Sequence, residues 1–434
     1  MFNSSLYRNR RQRLITLMQR GIAVIPTAPE VLRNGDAHYP YRFDSHFHYL
    51  TGFDEPEAVL VLVAGAPAQS ILFCREKDME REIWDGFRYG PAAAREKFGF
   101  DAAFPIAELD DKLTELMGNQ PALFHPLGKH AVWDDRILAL RARVQAQVRS
   151  GITAPNEIHD VRTLLDEMRL IKDKDELATL RRAAAISTAA HQRAMRATRP
   201  GKMEYEIEAE LLHEFRSQGA QAPAYTSIVA GGANACVLHY ISNNTQLKDG
   251  DLLLIDAACE MDGYATDITR TFPINGKFSA AQKDVYEIVL AAQATAIAAA
   301  RPGAHWNEPH DAAVRVLVQG LIDLKLCHGS VDAVLESGSY KRFYMHRTGH
   351  WLGMDVHDVG NYKLEGNWRL LQPGMVLTVE PGCYIRPADD VPSAFWNIGI
   401  RIEDDVAITT QGCEVLTEAA PKTVAAIEAL MQRP

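Results

Sequence analysis

The sequence predicts an α/β N-terminal domain followed by an α+β domain, and three observations carry that expectation. The first ~160 residues alternate strand-like runs ("IAVIPT", "AVLVLVAG", "SILFCR", "ALFHPLG") with polar or helical stretches, as α/β units do. From residue 156 the character changes to the highly charged "NEIHDVRTLLDEMRLIKDKDELATL". Beyond it stand long helices beside mainly hairpin-connected strands, an α+β pattern. A chain of 434 residues is also long for one compact core, so two domains are expected, residues 1–170 and 171–434.

The elements follow in order. Leu6, Leu14, Leu17 and Met18 can share one face of a first helix, which Gly21 stops before the strand "IAVI". The arginines and missing acids of "MFNSSLYRNRRQRLITLMQRG" also fit a mitochondrial presequence, but the helix is the better account. A secretory signal is not expected, because no apolar core follows those arginines. Past the boundary, Asp173 is placed to cap a helix, with Glu176 three residues on and Leu177, Leu180 and Ala184 continuing at helical spacing. That helix runs over 174–197 and is closed by Pro200-Gly201. A second, 203–217, carries Ile207, Leu211 and Phe215, and an alanine-rich third spans 279–300 before Pro302-Gly303. Strand and turn patterns occupy 251–272, 374–379 and 398–409.

Composition narrows the class. With 47% hydrophobic and 24% charged residues the chain reads as a soluble globular protein. A net charge of −10 argues against general nucleic-acid binding. No apolar run approaches the ~18 residues of a membrane span. Cys74, Cys236, Cys259, Cys327, Cys383 and Cys413 lie far apart without a C-x-x-C pair, which fits reduced thiols in a cytoplasmic protein and not zinc held on sulfur.

The chemistry lies where carboxylates are stranded among apolar residues. In "DLLLIDAACEMDGYATDITRTF", an aliphatic strand ends on Asp256, turns through Asp262-Gly263 and returns with Asp267 amid β-branched residues. A buried carboxylate is costly unless paired or bound to a cation. "PGMVLTVEPG" repeats the design, with a strand running into Glu380. In "NIGIRIEDDVAIT", Ile398, Ile400 and Ile402 share one face, Arg401 and Glu403 the other, and Asp404 and Asp405 are expected to face solvent. "HRTGHWLGMDVHDVG" holds His346, His350 and His357, and Gly349 and Gly353 argue against a helix there. No H-E-x-x-H occurs. Asp256, Asp267, His350, Glu380 and Glu403 thus form a donor set rich in hard oxygen. It suits a pair of divalent ions with bridging carboxylates better than one structural zinc. Singly, each has a bland reading as a turn, cap or loop residue, and His191, His213 and His305 are given only that reading.

These positions, in this order, resemble the pita-bread metallopeptidases, most closely the bacterial aminopeptidase P group. The resemblance covers residues ~170–410 and is strongest in "HWLGMDVHDVG", "LTVEPGCYI" and "GIRIEDDV", with a weaker likeness in "YRFDSHFHYLTGFDEPEAVLVL" and "EREIWDGFRYG". It implies a pita-bread catalytic fold behind an aminopeptidase P/creatinase-like N-terminal domain. It also implies two divalent ions, usually Mn2+ with Co2+ or Zn2+ as alternatives. Asp256 would chelate one ion, Asp267 and Glu403 would bridge both, and His350 and Glu380 would complete the other. Glu380 would shuttle a proton from a metal-bridging hydroxide to the leaving nitrogen. His239 and His357 would contact the substrate and stabilise the tetrahedral intermediate, and His346 would shape a proline pocket. Arg401 would orient Asp256, with Tyr384 in the same network. Trp84 resembles an aromatic that reaches a neighbour's active site, which implies a homo-oligomer, a tetramer or dimer. Arg347 and Thr348 stand where smaller residues often occur in these enzymes, and Cys383, near a ligand, is read as packing. The implied substrates are peptides with proline in second position. A prolidase acting on dipeptides and a metal-free binding protein are the rival readings. Creatinase is disfavoured by the ligands, and methionine aminopeptidase by the large N-terminal domain.

Overall fold

The computed structural model describes residues 3–432 and divides into two compact units, Met1–Met168 and Arg169–Pro434. The first is built on a six-stranded sheet in the order Ala102–Pro105, Gln69–Cys74, Val59–Ala64, Gly21–Pro26, Ala122–His125, Glu157–Asp160. Its three middle strands pair antiparallel and the outer ones parallel. Valine, isoleucine and leucine suit the four inner strands, which are buried on both faces, while the two edge strands are only partly covered.

The first helix, Ser4–Met18, buries Leu14, Ile15 and Met18, but Leu17 is 43% exposed, against the face the sequence suggests. The face has turned to bury Arg10 and Arg11 instead. Arg11 donates to the carbonyls of Leu50 (3.1 Å) and Gly99 (2.7 Å), and Arg10 to that of Tyr49 (3.2 Å). These arginines satisfy main-chain acceptors that would otherwise be stranded. Gly21 is not the helix stop. Gln19 ends the helix with φ 63°, and Gly21 opens the strand at φ 91°, where a Cβ would lie 2.4 Å from the carbonyl oxygen of Ala122.

The second unit opens with the helix Lys174–Ala197, capped as the sequence suggests: Asp173 accepts from the amides of Asp175 and Glu176, and Glu176 accepts from that of Asp173. Glu204–Ser217, Ala280–Ala299 and Glu308–Asp323 are its other long helices. They cover several small sheets. Leu252–Asp256 lies between Ile228–Gly231 and Thr269–Pro273, Asp404–Ile408 lies between Val376–Val379 and Cys413–Val415, and Gly382–Ile385 pairs with Ile398–Arg401. All connections within these sheets are antiparallel. All six cysteines are free, and Cys383 is packed in the core.

Candidate metal centre

Strand register brings the acidic residues together. Asp256 pairs with Thr269, and Asp267 stands two residues before that partner. Val379 pairs with Asp404, so Glu380 and Glu403, one residue beyond each, meet where the strands part. The amide of Glu403 donates to the Thr269 carbonyl (3.0 Å), which ties the two sheets at this point. His350 arrives on a loop laid against Val376–Val379, its amide on Thr378 Oγ1 (3.1 Å) and its carbonyl accepting from the Thr378 amide (3.0 Å). Gly349 permits that approach, because a Cβ there would sit 2.0 Å from the Thr378 carbonyl oxygen.

Asp256, Asp267, His350, Glu380 and Glu403 line one cavity of about 570 Å³, together with His239, His346, His357 and Arg401. Donor atoms of Asp267, His350 and Glu403 all lie within 4.8 Å of one another. His350 Nδ1 donates to the Trp351 carbonyl (2.9 Å), and Nε2 faces Asp267 Oδ2 at 3.3 Å and Glu380 Oε1 at 3.8 Å. Burial would depress His350, yet Asp267 and Glu380 outweigh it and raise the imidazole to about 9. Burial and neighbouring carboxylates push Glu403 well above the usual range, and burial raises Glu380 to about 7 against the pull of His350 and Arg401. Asp256 is also raised, by burial, although Arg401 draws it down.

The chain supplies too little positive charge for this cluster. Arg401 donates to Asp256 Oδ2 at 2.6 Å, and Thr269 Oγ1 donates to Glu403 Oε2 at 2.6 Å. The Tyr225 hydroxyl lies 2.6 Å from an oxygen of Asp256 and 2.6 Å from an oxygen of Asp267. A phenol has one proton and cannot satisfy two carboxylates at once. The second contact calls for another proton or a cation. Divalent cations fit this donor set, which combines hard oxygens with one imidazole whose other nitrogen is held by a carbonyl.

The remaining site residues form two groups. His239 and His357 are exposed on the cavity wall, with the His357 ring edge-on to His350 at 4.3 Å. His346 is half-buried, and the desolvation there draws it down to about 4, hence neutral at physiological pH. Its Nδ1 donates to the Arg347 carbonyl (2.7 Å) and its Nε2 accepts from the Tyr384 hydroxyl (2.8 Å), which in turn accepts from Arg401 Nη1 (3.1 Å). Arg401, Tyr384 and His346 are thus one chain of hydrogen bonds running from Asp256 to the cavity wall. Trp84 stands on the helix Met79–Asp85 of the first unit and is 84% exposed.

Two groups of residues escape a reading of the sequence. Tyr225 precedes a strand in "APAYTSIVAGG" and carries no local sign of its role. Asp404 and Asp405 do not face solvent; both are fully buried, because Asp404–Ile408 is the central strand of its sheet. Asp404 is bonded to Arg270 and Lys422, each at 2.6 Å. Asp405 accepts from the Asp267 amide at 3.2 Å and so fixes the backbone of a candidate ligand. His191 and His305 keep their bland reading: His191 is buried with Nε2 on the Ala257 carbonyl (2.8 Å), and His305 Nδ1 meets the Trp368 carbonyl (3.1 Å).

Known proteins resemble this chain along nearly its whole length. The chain matches the model of metallopeptidase family M24 over residues 178–410, and that of the aminopeptidase P N-terminal domain over residues 7–124. It is 46% identical over 428 residues to the Xaa-Pro aminopeptidase of Escherichia coli strain K12, covering 98% of this chain and 97% of that protein. Aminopeptidase PepP of Pseudomonas aeruginosa matches with a TM-score of 0.98 at 51% identity, over 99% of this chain and 98% of that one. A variant of Escherichia coli aminopeptidase P in complex with substrate matches with a TM-score of 0.97 at 46% identity, over 99% and 98% of the two chains.

Proposed function

We propose that this chain, which belongs to metallopeptidase family M24 and joins an aminopeptidase P N-terminal domain to a pita-bread catalytic domain, releases the N-terminal residue from peptides whose second residue is proline. The observation that carries this is the convergence of Asp256, Asp267, His350, Glu380 and Glu403 on one cavity in a full-length relative of Xaa-Pro aminopeptidases. Asp256 would hold one ion, Asp267 and Glu403 both, and His350 and Glu380 the other. Two divalent ions held there, manganese by resemblance, would supply a nucleophilic water of lowered pKa and polarise the scissile carbonyl.

The residues of the chain do the rest. Glu380, between His346 and His350, is placed to take a proton from the attacking water and deliver it to the departing proline nitrogen, so the proton is returned with the leaving group. His239 and His357 are the exposed donors that meet the substrate and the charge developing on its carbonyl oxygen. Arg401 orients Asp256, and through Tyr384 it holds the neutral His346 ring against the proline side of the cavity. The bond before proline is a tertiary amide without N–H, so a site that polarises the carbonyl succeeds where one gripping that hydrogen fails. Trp306, Trp368, Leu238 and Tyr362 give the cavity apolar surface for the ring.

The exposed Trp84 supports assembly into a homo-oligomer, a tetramer or dimer, which light scattering would test. Six free thiols support a reducing compartment, the cytoplasm. The reaction is tested by offering an X-Pro-X tripeptide and an X-Pro dipeptide with manganese. Cleavage of the tripeptide at least as fast as the dipeptide is expected. Hydrolysis of the dipeptide alone would identify a prolidase instead, and cleavage of neither with manganese, cobalt or zinc would return the binding-protein reading.

A further inference from the structure

Arg347 takes no part in the chemistry above, yet it lines the same cavity one residue outward from His346. It is exposed, and its guanidinium lies over the indole of Trp368, 5.3 Å from the ring centroid, while it donates to Asn307 Oδ1. The Lys363 ammonium lies 4.3 Å from the centroid of that same ring. Trp368 and Lys363 belong to the small hairpin formed by Lys363–Leu364 and Asn367–Trp368. Among the described residues, neither Arg347 nor Lys363 has a carboxylate partner. The carboxylates deeper in the cavity belong to Arg401 and the divalent ions, so they make no claim on this pair.

Two unpaired cations on one indole at the mouth of a peptide site form a receptor for an anion. A guanidinium is the fork that a carboxylate fits with two parallel hydrogen bonds. Here Asn307 and Trp368 already hold it in place, so little side-chain freedom is lost when a ligand arrives. We infer that Arg347, assisted by Lys363, determines specificity by binding a carboxylate of the substrate beyond proline. The inference rests on the aminopeptidase reading above. That carboxylate is either the C-terminus of a short peptide or an acidic side chain in the third position.

The test uses the manganese-loaded protein and two pairs of peptides. Ala-Pro-Ala is compared with its C-terminal amide, and Ala-Pro-Asp-Ala amide with Ala-Pro-Asn-Ala amide. The wild type should favour the anionic member of at least one pair by roughly tenfold in kcat/KM, through KM rather than kcat, as a charge-assisted bond would give. Preference in the first pair assigns the terminal carboxylate, and in the second the side chain. Arg347→Gln should bring the ratio to within about twofold, while Arg347→Lys, which keeps the charge but not the fork, should retain part of it. A wild type indifferent to charge in both pairs overturns the inference, as does a preference that survives in Arg347→Gln. Failure of the wild type on all four peptides is a different result, and it refutes the aminopeptidase reading itself.

Discussion

Two buried acidic clusters in the second unit are made of similar side chains and reach opposite electrostatic ends. Around Asp358 the chain provides its own counter-ions. Arg169 donates to Asp358 Oδ1 at 2.6 Å, Lys172 reaches Oδ2 at 2.8 Å, and all three side chains are buried. Burial alone would raise this carboxyl, but Lys172 and Arg169 hold it below the usual range. Around Asp267 the chain sets Asp256, Glu380 and Glu403 beside Arg401 and His350, and burial makes those three carboxyls hold their protons more tightly than normal. A cluster finished by the chain is a structural tie. One left short of positive charge is a receptor for cations, and its residues are arranged at a cost in stability that binding offsets.

The largest effect expected from breaking that contrast is on turnover. Asp267→Ala or Glu403→Ala should reduce peptide hydrolysis to background, with loss of bound metal by elemental analysis, because each removes a ligand proposed to be shared by both ions. The fold should survive, since a repulsive carboxylate has been removed. Near wild-type turnover with unchanged metal content would sink the assignment. Asp358→Asn should do the reverse, sparing metal content and lowering stability by about 3 kcal/mol, because Lys172 stays buried without its carboxylate and Arg169 keeps only Asp355. The pH dependence carries a sign. Asp358 has a depressed folded pKa, so its stabilisation is complete above an ordinary aspartate value near ~3.9 and fades as pH falls through the lowered one. Urea titrations should therefore show a constant gap between wild type and variant from neutral pH down to about 5, closing below about 4. A gap that widens on acidification would contradict the pairing.

His357 sharpens the picture from the substrate side. As an exposed neighbour of His350 with no place in the donor set, it should affect charge stabilisation and not metal retention. His357→Ala should lower kcat by roughly two orders of magnitude, as loss of one such donor commonly does, with metal content unchanged. Stripping of metal by this variant would make it a ligand.

How much of this could be read in the sequence depends on where partners lie. Asp256, Asp267, Glu380 and Glu403 are legible because each ends or begins an apolar run that must be buried, so local pattern alone signals an uncompensated charge. The Asp173–Glu176 cap is legible for a similar reason, its partners being three residues apart. Asp404 and Asp405 mislead because "EDD" has the look of a solvated strand end. Arg270 and the Asp267 amide, which bond them, lie more than a hundred residues upstream, and Lys422 lies beyond the next strand. Leu17 fails likewise, since two arginines with distant carbonyl partners decide which helix face goes inside. Periodicity sees hydrophobicity, and it does not see a guanidinium satisfying a remote backbone.

Tyr225 is the extreme case of an illegible residue, and it supplies the smallest and most discriminating test. Its single proton lies between Asp256 and Asp267. In the ion-free protein that proton stands beside Arg401 and His350 in offsetting the two carboxylates, so Tyr225→Phe should leave them in more direct repulsion and lower ion-free stability. With ions bound, the same hydroxyl is only a partner to ligands that already have a stronger one. Its loss should then cost the loaded protein less than the ion-free one, so by linkage the variant should bind metal no more weakly than the wild type. The variant's melting temperature should thus fall more without metal than with saturating manganese. An equal fall in both states would mean that Tyr225 merely packs, and a fall confined to the loaded protein would mean that the hydroxyl acts on the ions directly.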